Sequence, residues 1–208
     1  MNNITKRIIA YILTTAIAVA PVAAQAKDAV IYSDDFEAYT VGVGGNGQAG
    51  LDVFSGEVRY SENNKFIALT EANAMATHNF DSNVSSDIVL LSTDIYVEDS
   101  NEVRIQLLNS DSKHAMRLRI GGGTIKFTYH NGAQQTEMSA GPMPTGQWVT
   151  ISAEFDFDNK RITQFYVDGV PKLSADANYY FYDLAADAAH NITFWNHSGN
   201  SGFYIDNV

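Results

Sequence analysis

Two carboxylates on one predicted strand have a spacing that could serve the hydrolysis of a sugar bond. Glu154 and Asp156 lie two residues apart in the alternating segment 149–157, so both side chains point to the same face of the strand. Retaining glycosidases use such a pair, with one carboxyl as the acid and the other as the nucleophile. The alternative is that both residues face solvent while the apolar residues between them face a core.

A second set of side chains is basic and polar and alternates with apolar residues on three other segments. Its members are Arg104 and Gln106 on one segment, Arg117 and Arg119 on another, and Lys126, Thr128 and His130 on a third. If these strands are neighbours in one sheet, their shared face would form a patch suited to a carboxylated sugar. The alternative is an ordinary solvated strand face.

Aromatic residues near the C-terminal end offer a stacking surface. Trp195 and His197 lie two residues apart, and an exposed indole ring could pack against the CH groups of a pyranose. The period of a strand places either Phe194 or Trp195 inward, but not both. We predict a ligand-binding site of Trp195, Arg104, Gln106, Arg117 and His197, and we assign no catalytic residue.

Three acidic residues near the two ends of the chain are candidates for a calcium site. Asp34 and Asp35 precede the main body, and Asp206 lies close to the last residue. Carboxylates are the hard oxygen ligands that Ca²⁺ prefers, so we predict a structural Ca²⁺ ion that clamps the termini. The alternative is that these side chains bond to their own backbone in turns. The five histidines show no metal-ligand spacing.

Charge and composition limit the classes of partner and the location of the protein. Lys6 and Arg7, the apolar run 8–20 and the small residues before Lys27 are typical of a signal peptide over 1–26, so we expect a secreted or periplasmic protein. Without this segment, 11 basic residues face 24 acidic ones, a net charge of −13. That charge disfavours nucleic acid and anionic membranes. The sequence has no cysteine, so core burial must stabilise the fold.

The elements that would position these side chains are strands. The segment 148–171 predicts a long hairpin, because alternation over 149–157 is followed by turn residues and by a second run that ends at Asp168-Gly169. Further strands are predicted at 29–32, 58–60, 66–69, 88–97, 103–109, 115–120, 124–130, 191–196 and 203–208. Short strands at this spacing predict one all-β domain over 27–208, a two-sheet antiparallel β-sandwich or jelly roll.

Three segments carry a resemblance to a known family. They are Asp34-Asp35-Phe36-Glu37-x-Tyr39, Tyr166-Val167-Asp168-Gly169 and Phe203-Tyr204-Ile205-Asp206-Asn207-Val208. The mature region resembles the concanavalin A-like lectin/glucanase superfamily, and its laminin-G-like jelly-roll domains in particular. The resemblance implies a jelly-roll fold, a structural role for Trp148 and a first strand beside the last. The chain stops within that last strand, which leaves open a further C-terminal piece.

The family's catalytic motifs are incomplete in this chain. Glucanases of the superfamily carry Glu-x-Asp-x-x-Glu, and here Asn159 stands at the position of the last glutamate. The Gln-Ile-His motif of its alginate lyases is absent, and Arg104-Ile105-Gln106 resembles that motif only loosely. We therefore favour an exported glycan-binding or adhesive domain without catalysis. A polysaccharide-degrading enzyme, a lyase rather than a hydrolase, is the first alternative, and a structural protein-interaction domain is the second.

Overall fold

A computed structural model describes residues 33–42, 51–61, 64–85, 88–99, 102–175, 177–198 and 202–208. In these ranges the chain forms fourteen β-strands and no helix. No helical segment of the described chain has the length and apolarity needed to cross a bilayer. The predicted signal peptide over 1–26 and the predicted first strand at 29–32 lie outside the described residues.

The strands form two antiparallel sheets of seven strands each. In chain order they are β1 (Leu51–Phe54), β2 (Glu57–Ser61), β3 (Asn64–Leu69), β4 (Met75–Val84), β5 (Ile88–Val97), β6 (Val103–Leu108), β7 (His114–Gly121), β8 (Thr124–His130), β9 (Gln135–Pro142), β10 (Trp148–Asp156), β11 (Arg161–Val167), β12 (Val170–Pro171), β13 (Ala189–Asn196) and β14 (Phe203–Asp206). Sheet I has the order β1-β4-β13-β6-β7-β8-β9, and sheet II has the order β12-β11-β10-β5-β14-β3-β2. The all-β, two-sheet prediction is confirmed.

The long hairpin forms as the alternation predicts. Strand β10 pairs with β11, and its odd-numbered residues Val149, Ile151 and Phe155 are buried. The turn into β12 places Asp168 and Gly169 at φ of 49° and 71°. Two successive left-handed residues match the right-handed twist of a tight hairpin, which is why the Asp-Gly pair ends the strand there.

The core lies between the two sheets and is rich in phenylalanine. Phe127 on β8 of sheet I stacks against Phe165 on β11 of sheet II, with ring centroids 5.0 Å apart. Both rings are almost fully buried, as are Phe155, Phe181 and Phe194. Inner faces that interdigitate in this way are what hold a sandwich together without disulfides.

The two ends of the described chain lie side by side. The backbone N–H of Asp34 donates to the carbonyl of Val208 at 2.9 Å, and the N–H of Val208 donates back to Asp34 at 3.0 Å. The opening and closing segments are therefore adjacent, as the resemblance implies. Strand β14 ends at Asp206 rather than at Val208.

Trp148, to which the resemblance gives a structural role, is not a core residue. Its side chain is on the outer face of sheet II and is 39% exposed, because the next residue, Val149, takes the inward position. The ring contacts Phe66 and Tyr96, each with centroids 5.7 Å away. Trp148 thus belongs to a partly exposed aromatic cluster on the surface of the sandwich.

Candidate functional site

The polar residues predicted on separate strands share the outer face of sheet I. Strand pairing aligns Trp195, Arg104, Arg119 and Lys126 in one row across β13, β6, β7 and β8. The adjoining row holds Thr193, Gln106, Arg117 and Thr128, and continues to Glu137 on β9. We call these nine side chains, with the flanking residues Glu102 and His197, the polar face. Cross-strand neighbours of this kind are within side-chain reach of one another.

All five side chains predicted to bind ligand lie on the polar face. Arg104, Gln106, Arg117 and Trp195 occupy positions on three adjacent strands, and the ring of His197 packs edge-on against Trp195 at 4.5 Å. The open alternative at β13 is also decided by the structure. Phe194 is buried in the core, so Trp195 points outward.

Trp195 is held in place by charged and aromatic neighbours. The guanidinium carbon of Arg104 lies over the indole ring, 4.9 Å from its centroid, in a cation–π arrangement. The indole Nε1 is buried and has no hydrogen-bond partner in the described chain. The indole ring of Trp195 and the guanidinium of Arg104 are therefore presented side by side on the polar face.

Glu102, which the sequence reasoning missed, organises this end of the polar face. Its carboxylate accepts hydrogen bonds from Arg104 at 2.7 Å and from Arg119 at 2.9 Å. Burial alone would raise the pKa of Glu102, but the hydrogen bonds from Arg119 and Arg104 outweigh it and hold the pKa at about 2. The only signal in the sequence is the spacing of Glu102 and Arg104, two residues apart at the start of β6.

A second cluster is centred on Gln106, and the sequence did not indicate that its members contact one another. The Nε2 atoms of Gln106 and His114 lie 2.8 Å apart, and the rings of His114 and Tyr182 meet edge-to-face at 5.4 Å. Arg117 donates to the hydroxyl of Tyr182 at 3.3 Å. Burial, and then the charge of Arg117, lowers the pKa of His114, which keeps its imidazole neutral near pH 7.

Beside this cluster the polar face has an open depression of about 320 Å³. Its lining residues are Arg117, Arg119, Thr128, Gln135, Thr136, Glu137 and Tyr182. Lys126 lies nearby and pairs with Glu137 at 3.5 Å. His130 does not contribute a free ring, because its Nδ1 accepts the backbone N–H of Gly132 at 3.0 Å and so fixes a turn.

The carboxylate pair Glu154 and Asp156 lies on the other sheet. Asp156 accepts from the backbone N–H of Asn159 at 2.9 Å and from its side chain at 2.7 Å, so it shapes the turn after β10. Glu154 accepts from the hydroxyl of Thr163 on β11. Both are strand and turn residues of sheet II, remote from the polar face, and nothing in this geometry favours a glycosidase pair.

The three acidic residues at the termini accept hydrogen bonds from protein groups. Asp34 accepts from the N–H of Phe36 at 2.7 Å, and Asp35 accepts from the N–H of Glu37 at 3.1 Å. Asp206 accepts from the side chain of Asn64 at 2.6 Å, and burial raises its pKa. Within the described ranges no three His, Asp or Glu side chains come together as a metal site. Calcium binding at the termini stays a prediction.

Comparison with known proteins supports the fold. No protein-family model and no curated protein matches the sequence. Solved structures do match, each at 14% identity: a sialidase (TM-score 0.65, 85% of this chain), the globular domain of T. cruzi calreticulin (0.56, 85%) and the carbohydrate-binding module CBM66 from Bacillus subtilis (0.50, 76%). The match covers 18%, 86% and 93% of those chains respectively.

These likenesses define a class of architecture and no more. At 14% identity they show that the chain has the sandwich fold of those domains. The chain spans less than a fifth of the sialidase that it matches.

Proposed function

We propose that the protein is an exported glycan-binding domain whose binding surface is the polar face. The observation that carries this proposal is the placement of Trp195, Arg104, Gln106, Arg117 and His197 on one outward face of adjacent strands. An aromatic ring beside planar polar groups is the combination that recognises a sugar, since the ring packs on CH groups while the polar groups bond to hydroxyls. The signal-peptide pattern over 1–26 supports export.

The structural neighbours add support of a general kind. One is a carbohydrate-binding module and another is a sialidase, and each contains a region with the fold of this chain. Because one fold carries many functions, the side chains of the polar face support glycan binding more strongly than the likeness does.

Replacing Trp195 by alanine tests the proposal. We expect the mature protein to be retained on at least one member of a panel of neutral and acidic polysaccharides, and Trp195→Ala to weaken that binding by about tenfold, as loss of a stacking aromatic does at a binding site. Affinity electrophoresis in gels that contain each polysaccharide measures the change.

Trp148→Ala is the matched control, because Trp148 is also a partly exposed indole but lies on sheet II. This variant is expected to bind within about twofold of the parent protein. Equal losses in the two variants, or no retention on any polysaccharide, would contradict the proposal.

One observation favours a second candidate, a uronate-specific polysaccharide lyase. Gln106, His114, Arg117 and Tyr182 form one contiguous cluster on the polar face. In β-elimination a base takes the C5 proton, the C4–O4 bond breaks with its electron pair leaving on O4, and a C4=C5 double bond forms. A neutral imidazole can accept the proton, a phenol can protonate O4, and a guanidinium can neutralise the uronate carboxylate.

The two candidates give different results with the same samples. A binding domain is expected to retain the polysaccharide with no rise in ultraviolet absorbance from an unsaturated uronate and no new reducing ends. A lyase is expected to give that rise, and Tyr182→Phe to abolish it while retention persists. A rise in absorbance would overturn the binding-only proposal in favour of the lyase.

A further inference from the structure

One cation of the polar face lacks an acidic partner. Three of the four are paired: Arg104 and Arg119 with Glu102, and Lys126 with Glu137. Arg117 forms no ion pair in the described chain. It donates to the hydroxyl of Tyr182 at 3.3 Å, and its guanidinium lies 5.6 Å from the centre of that ring. Its Nε is buried and has no partner within the described ranges.

A hydroxyl that lacks a partner in the described part of the chain lies directly beside this arginine. Thr128 on β8 is the register partner of Arg117 on β7, and both residues line the depression. The side chain of Thr128 is oriented to the same face, only 9% of the residue is exposed, and its Oγ1 has no hydrogen-bond partner among the residues that the structure describes. A buried polar atom left without a partner is destabilising, so a ligand atom that bonds to it is favoured.

The charge of the polar face also favours an anion. Arg104, Arg117, Arg119 and Lys126 give four positive charges, and Glu102 and Glu137 give two negative ones, which leaves +2. The whole chain has a net charge of −11, so this excess is local rather than general. Glu137 lines the depression, but Arg119 at 3.1 Å and Lys126 at 3.5 Å neutralise it.

We propose that the depression binds an acidic substituent of the glycan, with Arg117 as the charge partner and the hydroxyl of Thr128 as a hydrogen-bond donor. This inference rests on the proposed function and names the chemical class of its ligand. The ligand group is an anion with several oxygen atoms. It is either the planar carboxylate of a uronate or the tetrahedral sulfate ester of a sulfated sugar. A guanidinium binds both through paired N–H groups.

The test compares each acidic polysaccharide with a form whose charge is masked. The probes are polygalacturonate and its methyl ester for the carboxylate, and a sulfated galactan and its desulfated form for the sulfate. We expect retention of one acidic form and at least about tenfold weaker binding of its masked form. Arg117→Gln is expected to remove that preference, and Thr128→Val to reduce it by about threefold to tenfold.

Arg161→Gln is the matched control. Arg161 stacks on Tyr180 at 5.9 Å, has an unpartnered Nε like Arg117, and does not line the depression. Arg161→Gln removes the same charge as Arg117→Gln, but from outside the depression. We therefore expect it to change binding by less than about twofold. Thermal melting of the two variants identifies any loss of folding, and Thr128→Val, which keeps the volume, tests the site if Arg117→Gln does not fold.

The outcomes separate this inference from the proposed function. Equal retention of the acidic and masked forms, with loss of binding in Trp195→Ala, would overturn the anion site and leave the glycan-binding domain in place. Equal losses in Arg117→Gln and Arg161→Gln would also overturn it, because long-range charge would then explain the binding. No retention of any polysaccharide would overturn both.

Discussion

Replacing Phe165 by alanine is expected to lower the free energy of unfolding by about 3–5 kcal/mol, which is the usual range for removal of a buried phenylalanine. Phe165 is 1% exposed and stacks on Phe127 from the opposite sheet, so its loss opens a cavity at the contact between the sheets. Equilibrium unfolding in urea, followed by tryptophan fluorescence, measures the change.

Leu90→Ala is the control for this prediction. Leu90 is of similar apolar character but is 75% exposed on the outer face of sheet II, so its truncation should change stability by less than about 0.5 kcal/mol. A change below about 1 kcal/mol in Phe165→Ala would mean that the two sheets do not depend on this contact.

Glu102→Gln is expected to lower the free energy of unfolding by about 1–2 kcal/mol near neutral pH, since Arg104 and Arg119 lose their shared carboxylate. The side chain of Glu102 is 21% exposed, so solvent screens part of the interaction. Because its pKa is about 2 in the folded state and near 4.3 in the unfolded chain, the contribution is complete above the unfolded value. It is lost as the pH falls towards about 2.

Urea unfolding at several pH values checks this prediction. The difference between the parent protein and Glu102→Gln should be largest near neutral pH, should shrink as the pH falls below about 4, and should vanish only below about pH 2. Glu57→Gln is the control, because it removes a single pair with Arg59 in which both side chains are 42% exposed. A difference that stays constant with pH would contradict the ionic role of Glu102.

Where apolar and polar residues alternate, the sequence predicts the strands closely. The bounds predicted for β5 and β8 agree with the structure, and the same alternation explains why Arg104 and Arg117 point away from the core. Fold class and the set of outward residues follow from this period of two.

Strands with weak alternation were missed, and so was the polar-face residue that one of them carries. Strand β4 has a polar sequence with Ala76 as its one fully buried apolar residue, and β9 is an edge strand that ends in Pro142. An edge strand has one paired side and needs few apolar residues, so periodicity does not reveal it. Glu137 on β9 was therefore missed, although it is a member of the polar face.

The roles of Glu102, His114 and Tyr182 depend on contacts between distant segments. Tyr182 lies in the segment between β12 and β13, and it reaches Arg117 across 65 residues of sequence. Single-sequence reasoning can assign each residue a face, but the pairing order of the strands decides which faces meet. The sequence therefore indicated candidates for the site, and the sheet topology supplied the contacts.

The strand order has a consequence for folding. The last two strands are interior: β13 lies between β4 and β6 in sheet I, and β14 lies between β5 and β3 in sheet II. Thr77 and Thr193 meet although they are 116 residues apart, and Asn64 and Asp206 meet across 142 residues. A chain synthesised only as far as residue 188 lacks β13 and β14, so each sheet would be divided into two parts that are not hydrogen-bonded to each other. Cooperative folding must therefore wait until the segment 189–206, which holds β13 and β14, has been synthesised, and slow kinetics are expected of such long-range pairing.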